Sequence, residues 1–333
     1  MDKPTLVDYA RLISTLFTQF QQTEAVELKH QNLHIYENRA LLLFFMLMQF
    51  RRITGFKTQQ RWLERHPEMV AFLGLENSPS RWTLSRRYKQ LVGVVTAFTA
   101  FVAEQAAELD ERFQPTRLVE DKSLFKAAGP VWHQSDRKAG RIPKKLRRLD
   151  TDATWSKSGY HGWVYGYGLH ITCTEAAFPI LVQVETATIH EGSVLDQKAD
   201  VILQRLRPNC LTADDGYTKA MRIRNWAKQG VVLLTPALRW VKGRFAAGYH
   251  CFLEQPLNQE RFRRRKTSVE PLFDLIAKVI GANGYQKQLL VQRLVNVRTA
   301  LALGTLSVQI AMVMNSIWNL RPRDISTMSA AFS

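Results

Sequence analysis

The chain has 333 residues, enough for roughly two domains and a sizeable buried core. Lys and Arg number 46 against 29 Asp and Glu, giving a formal charge of +17, so the expected partner is a polyanion, nucleic acid first. The start (MDKPTLVDYA) lacks the features of a signal peptide, and the apolar run at 40–48 is far short of the roughly 20 residues that span a bilayer. Cys173, Cys210 and Cys251 have no metal-ligand spacing, so a cytoplasmic protein with reduced thiols and no membrane partner is expected.

Residues 1–114 read as a helical domain. Apolar residues recur at three and four, as Leu12, Leu16 and Phe20 do in RLISTLFTQF, and again in VVTAFTAFVAEQAAELDERF. Between these, Asn77, Ser78 and Pro79 mark a turn, Ser80 is placed as an N-cap, and Leu84, Tyr88 and Leu91 form an inward stripe. Arg81, Arg86, Arg87 and Lys89 then fall mostly on other faces. Two short helices with a basic second one resemble a DNA-binding helix-turn-helix; a helical bundle with a solvated basic face fits the same pattern.

At Pro115 the texture changes. TRLVEDKSLF is strand-like and carries Glu120 and Asp121. A loop follows in which RKAGRIPKKLRR has seven basic residues in twelve, among them Arg137, Lys138, Arg141, Lys144 and Lys145. GWVYGYGLHITCT and FPILVQVETAT, rich in β-branched and aromatic residues, read as a hairpin. SVLDQKADVILQRL is helical, CLTAD a short strand, TKAMRIRNWAKQG a helix closed by Gly230, and VVLLTPA another strand. After the basic RFRRRK comes a helix in TSVEPLFDLIAKVIG, and the remainder is a long apolar helix or helix pair. The order from residue 116 is β-β-β-α-β-α-β-α, an α/β mixed sheet with helices on its faces and also the order of a ribonuclease H-like domain. The expected division is a catalytic domain at 115–285, with a small insertion near 238–262, and a helical tail at 286–333.

Three acids stand out by position. Asp121 is on the first strand, Asp214 at the end of the fourth, and Glu270 in the last helix before the tail, at the margin of a stripe formed by Val269, Leu272, Phe273, Ile276 and Ile280. Ligands collect at the carboxyl ends of strands in open sheets, which favours Asp214. Converging carboxylates repel one another, and a hard divalent cation, Mg²⁺ or Mn²⁺, resolves that conflict. Two such ions roughly 4 Å apart can drive phosphodiester displacement.

Each acid also has a purely structural reading. Strand alternation puts Glu120 and Asp121 on opposite faces, so only one can join a site. Asp214 and Asp215 in DDGY suit turn capping, and TSVE is a capping box with Thr267 as cap and Glu270 as partner. Asp150 and Asp152 suggest salt bridging with the preceding basic loop. Trp132, Trp155 and Trp163 fill the core or stack on unpaired bases. His133, His161, His170 and His190 show no zinc spacing.

Over roughly 40–320 the chain resembles the DDE transposases of bacterial insertion sequences, in the ribonuclease H-like superfamily. The matching pieces are EDKSLFKAAGPVWH, DTDATWSKSGYHGWVYGYGLH, ETATIHEGSVLD, TADDGYTKAM and RRRKTSVEPLFDLI. The resemblance implies that Asp121, Asp214 and Glu270 are catalytic and hold Mg²⁺ or Mn²⁺, as two ions. It implies nicking at transposon ends and transfer of the 3′-hydroxyl into target DNA, with a homodimer forming on DNA at the nucleoid. Some relatives carry Tyr, Arg and Lys where Arg263, Lys266 and Ala277 stand here. Phosphate positioning is therefore left to Arg261, Arg263, Arg264, Arg265 and Lys266 as a cluster. A nuclease without strand transfer and a non-catalytic DNA-binding protein derived from a transposase are the alternatives.

Overall fold

A computed structural model describes residues 3–23, 36–144, 146–236 and 242–333. The N-terminal part contains α1 (Leu6–Thr23), α2 (Asn38–Phe50), α3 (Phe56–Arg65), α4 (Pro67–Phe72) and α5 (Arg81–Leu109). Ser80 Oγ accepts from Thr83 N at 3.2 Å and starts α5, while Arg81 N donates to Gln60 Oε1 at 2.8 Å and ties that start to α3. Leu84, Tyr88 and Leu91 are buried, as their spacing predicts.

Two expectations need correction here. The two apolar patterns after residue 80 fuse into one helix of 29 residues, because no breaker other than Gly93 separates them. Arg87 is not a surface cation. It is 3% exposed and its Nη2 donates to Asn38 Oδ1 at 2.6 Å, so it is an internal tie rather than a DNA contact.

Among the described residues the sheet has six strands: β1 (Arg117–Lys126), β2 (Thr154–Ser158), β3 (Gly162–Thr174), β4 (Pro179–Thr186), β5 (Cys210–Thr212) and β6 (Val232–Leu234). Its order is β2-β3-β1-β5-β6, with β4 also paired to β3. β3 runs antiparallel to β1, β2 and β4, whereas β1, β5 and β6 are parallel. This is a mixed α/β architecture consistent with a ribonuclease H-like fold. The leading strands number four rather than three. TWSKS has neither apolar alternation nor length, and becomes a strand by pairing with the first residues of the long β3.

Helices follow as α6 (Gln134–Lys138), α7 (Glu191–Asp200), α8 (Ala220–Lys228), α9 (Arg244–Glu254), α10 (Pro256–Ile280), α11 (Leu294–Ile317) and α12 (Ser326–Phe332). The expected insertion near 238–262 is helical from Arg244 onward, and its residues 238–241 lie outside the described ones. Among the described residues, two helices, α5 and α11, are long and apolar enough to cross a membrane, by length and composition only. In α11 the apolar window is 89% buried inside the protein, between α5 and β4. Its polar residues stitch these layers together: Gln309 Nε2 donates to Thr99 O and Pro179 O, both at 2.9 Å, and Thr299 Oγ1 donates to Tyr88 O at 2.9 Å.

The glutamate helix also starts earlier than its apolar stripe suggests. α10 begins at Pro256, so Thr267 is well inside it and cannot cap it. Thr267 Oγ1 donates instead to Arg264 O at 2.9 Å, which removes the capping-box reading of Glu270. Pro271 has no N–H to offer the carbonyl four residues earlier, and that carbonyl, Thr267 O, accepts from Arg323 Nη1 at 3.0 Å.

Asp150 and Asp152 organise the start of α11 rather than the basic loop. Asp150 Oδ2 accepts from Arg293 N at 3.0 Å and from Tyr167 Oη at 2.8 Å, and Asp152 Oδ2 accepts from Leu294 N at 3.0 Å. Asp150 is fully buried, so its loss strands a buried hydroxyl and an orphan helix N–H. Asp150→Ala is expected to lower unfolding stability by about 2–4 kcal/mol, measured by urea titration. A loss within about 0.5 kcal/mol would show that other groups carry the cap.

Candidate active site

The site begins where pairing between two strands stops. The last paired residues of β1 and β5 are Val119 and Thr212; Asp121, still within β1, and Asp214, just past the end of β5, each lie two positions beyond them. β1 itself continues to Lys126 against β3, so Asp121 is inside that strand. The opening between β1 and β5 faces both carboxylates. Strand alternation sends Glu120 the other way: it is fully buried, 2.7 Å from Lys198 Nζ on α7, with Thr172 Oγ1 donating to it at 2.5 Å.

Asp121, Asp214 and Glu270 line one cleft of about 1000 Å³. Asp121 Oδ1 accepts from Lys122 N at 2.8 Å and Oδ2 from Arg265 Nη1 at 2.6 Å. Asp214 Oδ1 accepts from Gly216 N at 3.0 Å, so its turn-capping role holds alongside its place in the cleft. Asp215 is exposed and opens the short turn Asp215–Tyr217. Glu270 is exposed on α10, with no hydrogen bond or ion pair among the described residues.

A further acid, Glu191 at the first position of α7, lines the same cleft. A methyl group at Gly216 would collide with Glu191 Oε2, so the glycine of DDGY makes room for this carboxylate. Lys122 Nζ lies 3.9 Å from Glu191 Oε1. The signal for Glu191 was available: it follows β4, whose carboxyl end lies on the same edge as those of β1 and β5.

The acids sense one another. Burial pushes the Asp121 carboxyl up to about 7; Arg265 opposes that rise, and Asp214 and Glu191 add to it. Burial also raises Asp214, with Arg265 opposing, and raises Glu191, with Asp214 adding to the effect. The donor set is all oxygen, the chemistry a hard divalent cation takes. Among the described residues, no three His, Cys, Asp or Glu side chains are gathered tightly enough to hold an ion, and the guanidinium of Arg265 is the cation on Asp121.

The basic residues divide. Arg263 and Arg264 are exposed and lean on Glu260 of their own helix, at 3.8 and 2.9 Å. Arg261 Nη1 donates to Asn258 Oδ1 at 3.3 Å, and Lys266 is exposed at the cleft. In the loop before β2, Arg137 stacks on Trp132 at 5.9 Å, and Arg141 pairs with Asp136 at 3.6 Å. Lys138 and Lys144 belong to the same loop, and Lys145 lies outside the described residues. Arg81, Arg86 and Lys89 are exposed on α5.

Residues 113–293, more than half of the chain, match the family model described as the transposase DDE domain. The chain belongs to the DDE transposase family. Neither a curated protein nor a solved structure matches it significantly. DDE transposases use divalent metals, in keeping with the oxygen donors of the cleft.

Two outcomes are expected from this geometry. Gly216→Ala displaces Glu191 and lowers Mn²⁺ affinity by about tenfold with the fold retained, read by calorimetry and circular dichroism; unchanged affinity would detach Glu191 from the site. Folded Asp121 keeps its proton up to about pH 7, whereas an unfolded aspartate loses it near 3.9. Between those values the folded state binds more protons, so metal-free stability falls as pH rises from about 4 to 7. Asp121→Asn flattens that decline in urea titrations run across the interval; an equally steep decline in the variant would contradict the assignment.

Proposed function

We propose that the protein is a DNA transposase that nicks insertion-sequence ends and joins the freed 3′-hydroxyl to target DNA. The observation that carries this reading is the convergence of Asp121, Asp214 and Glu270 on one cleft of a chain in the DDE transposase family. Asp121, Asp214 and Glu270 are the catalytic and metal-holding residues, with Glu191 beside them. Two Mg²⁺ or Mn²⁺ ions, when bound, supply charge stabilisation at the attacking and leaving oxygens.

The chain's own groups do the rest. Asp121, now paired with Arg265, would hold a metal, and the Arg265 guanidinium would then be available at the cleft for a phosphate oxygen. Lys266 stands one turn before Glu270 on α10, so that helix carries phosphate contact and carboxylate on a single rod. Arg261, Arg263 and Arg264 extend the same positive stretch outward along a DNA backbone. Arg137, Lys138, Arg141 and Lys144 form a second strip, and Arg81, Arg86 and Lys89 mark residues 1–114 as the end-binding part. Residues 115–285 form the catalytic part and 286–333 the tail. Two copies meet when two transposon ends are brought together.

Asp121→Ala, Asp214→Ala and Glu270→Ala should each lower Mg²⁺-dependent nicking of a transposon-end duplex by at least about a thousandfold. Asp215→Ala should retain it. A variant of the first three with wild-type activity would remove that residue from the mechanism. Pre-cleaved ends incubated with a plasmid separate this reading from a simple nuclease, since only a transposase yields joined product.

A further inference from the structure

At the rim of the cleft, three aromatic rings from two distant parts of the chain meet. Tyr160 and His161 form the turn between β2 and β3, and Tyr285 comes from the loop after α10. The Tyr160 and Tyr285 ring centroids are 5.3 Å apart, and His161 sets its edge against both, at 4.9 and 4.7 Å. Yet Tyr160 is 76% exposed and Tyr285 60%. Large aromatic surface left in water on a preformed cluster marks a contact surface.

The cluster is braced. Tyr285 Oη donates to Tyr160 O at 2.5 Å, and Gln286 Nε2 donates to His161 O and Trp163 O at 3.2 and 3.3 Å. Lys126 N donates to Gln286 O at 3.1 Å and Leu289 N to Lys126 O at 2.9 Å, so the loop is bonded onto the end of β1. A ligand meeting these rings has little ordering left to bring about.

All three residues line the same cleft as Asp121, Asp214 and Glu270, together with exposed Lys157 and Lys278. Flat π faces flanked by ammonium groups, beside a site for phosphodiester chemistry, fit an unstacked nucleobase whose phosphates lie against the lysines. Trp132 and Trp155 are excluded from such a role. Both donate their indole N–H internally, to Arg141 O and Trp132 O at 2.9 Å, and both pack against the core.

We propose that Tyr160 and Tyr285, braced by His161, form a stacking platform for an unpaired base of the DNA strand whose phosphate enters the cleft. This rests on the DNA-cutting reading above. A base on the platform holds the strand end in one register relative to the acids.

The test uses the full chain with Ca²⁺ in place of Mg²⁺ and two versions of a transposon-end duplex, one fully paired and one with its terminal bases unpaired. Wild type should bind the unpaired version about tenfold more tightly, the equivalent of one stacked base. Tyr160→Ala/Tyr285→Ala should lose that preference and bind the paired duplex within about twofold of wild type, whereas Tyr160→Phe should keep it. In a parallel arm, 5-iodouracil at the unpaired position should photo-cross-link to the peptide bearing Tyr160 or Tyr285. A preference that survives the double substitution, or a cross-link that maps elsewhere, overturns the platform while DNA cutting stands. Absence of binding to either duplex by wild type overturns both.

Discussion

The early end of pairing between β1 and β5 is the constraint on which the rest of this site depends. β5 ends at Thr212 while β1 continues, and beyond Val119 and Thr212 the carboxylates of Asp121 and Asp214 share one cleft. Burial there raises both aspartates, and their repulsion is held in check by Arg265 from α10. The ion pair thus couples α10 to the sheet.

Much of this was legible in the sequence because it follows from period and position. Strand alternation separated Glu120 from Asp121, and the two now sit on opposite faces, one against Lys198 and the other against Arg265. Ser80, Leu84, Tyr88 and Leu91 declared the start and inward face of α5. The acids on β1, after β5 and on α10, singled out by position and by the family resemblance, line one cleft.

What stayed hidden depends on tertiary partners. Nothing in TWSKS announces a strand; the long β3 supplies the pairing. Arg87 looks like its neighbours Arg86 and Lys89, and only the placement of α2 turns it inward onto Asn38. Asp150 and Asp152 sit next to a run of arginines and lysines, yet they accept from backbone N–H groups at the start of α11, 143 and 142 residues away. The Tyr160–Tyr285 pair joins segments 125 residues apart, a contact invisible to any local pattern.

The burial of α11 has a consequence for how the protein comes to be. Its 24 residues lie against α5 and β4, which precede them in the chain by more than a hundred positions. During synthesis the sheet and the early helices therefore leave the ribosome with their greasiest faces bare, waiting for a strut that is made after them. The core can close only once α11 has been made, and until then those faces are open to non-native contacts.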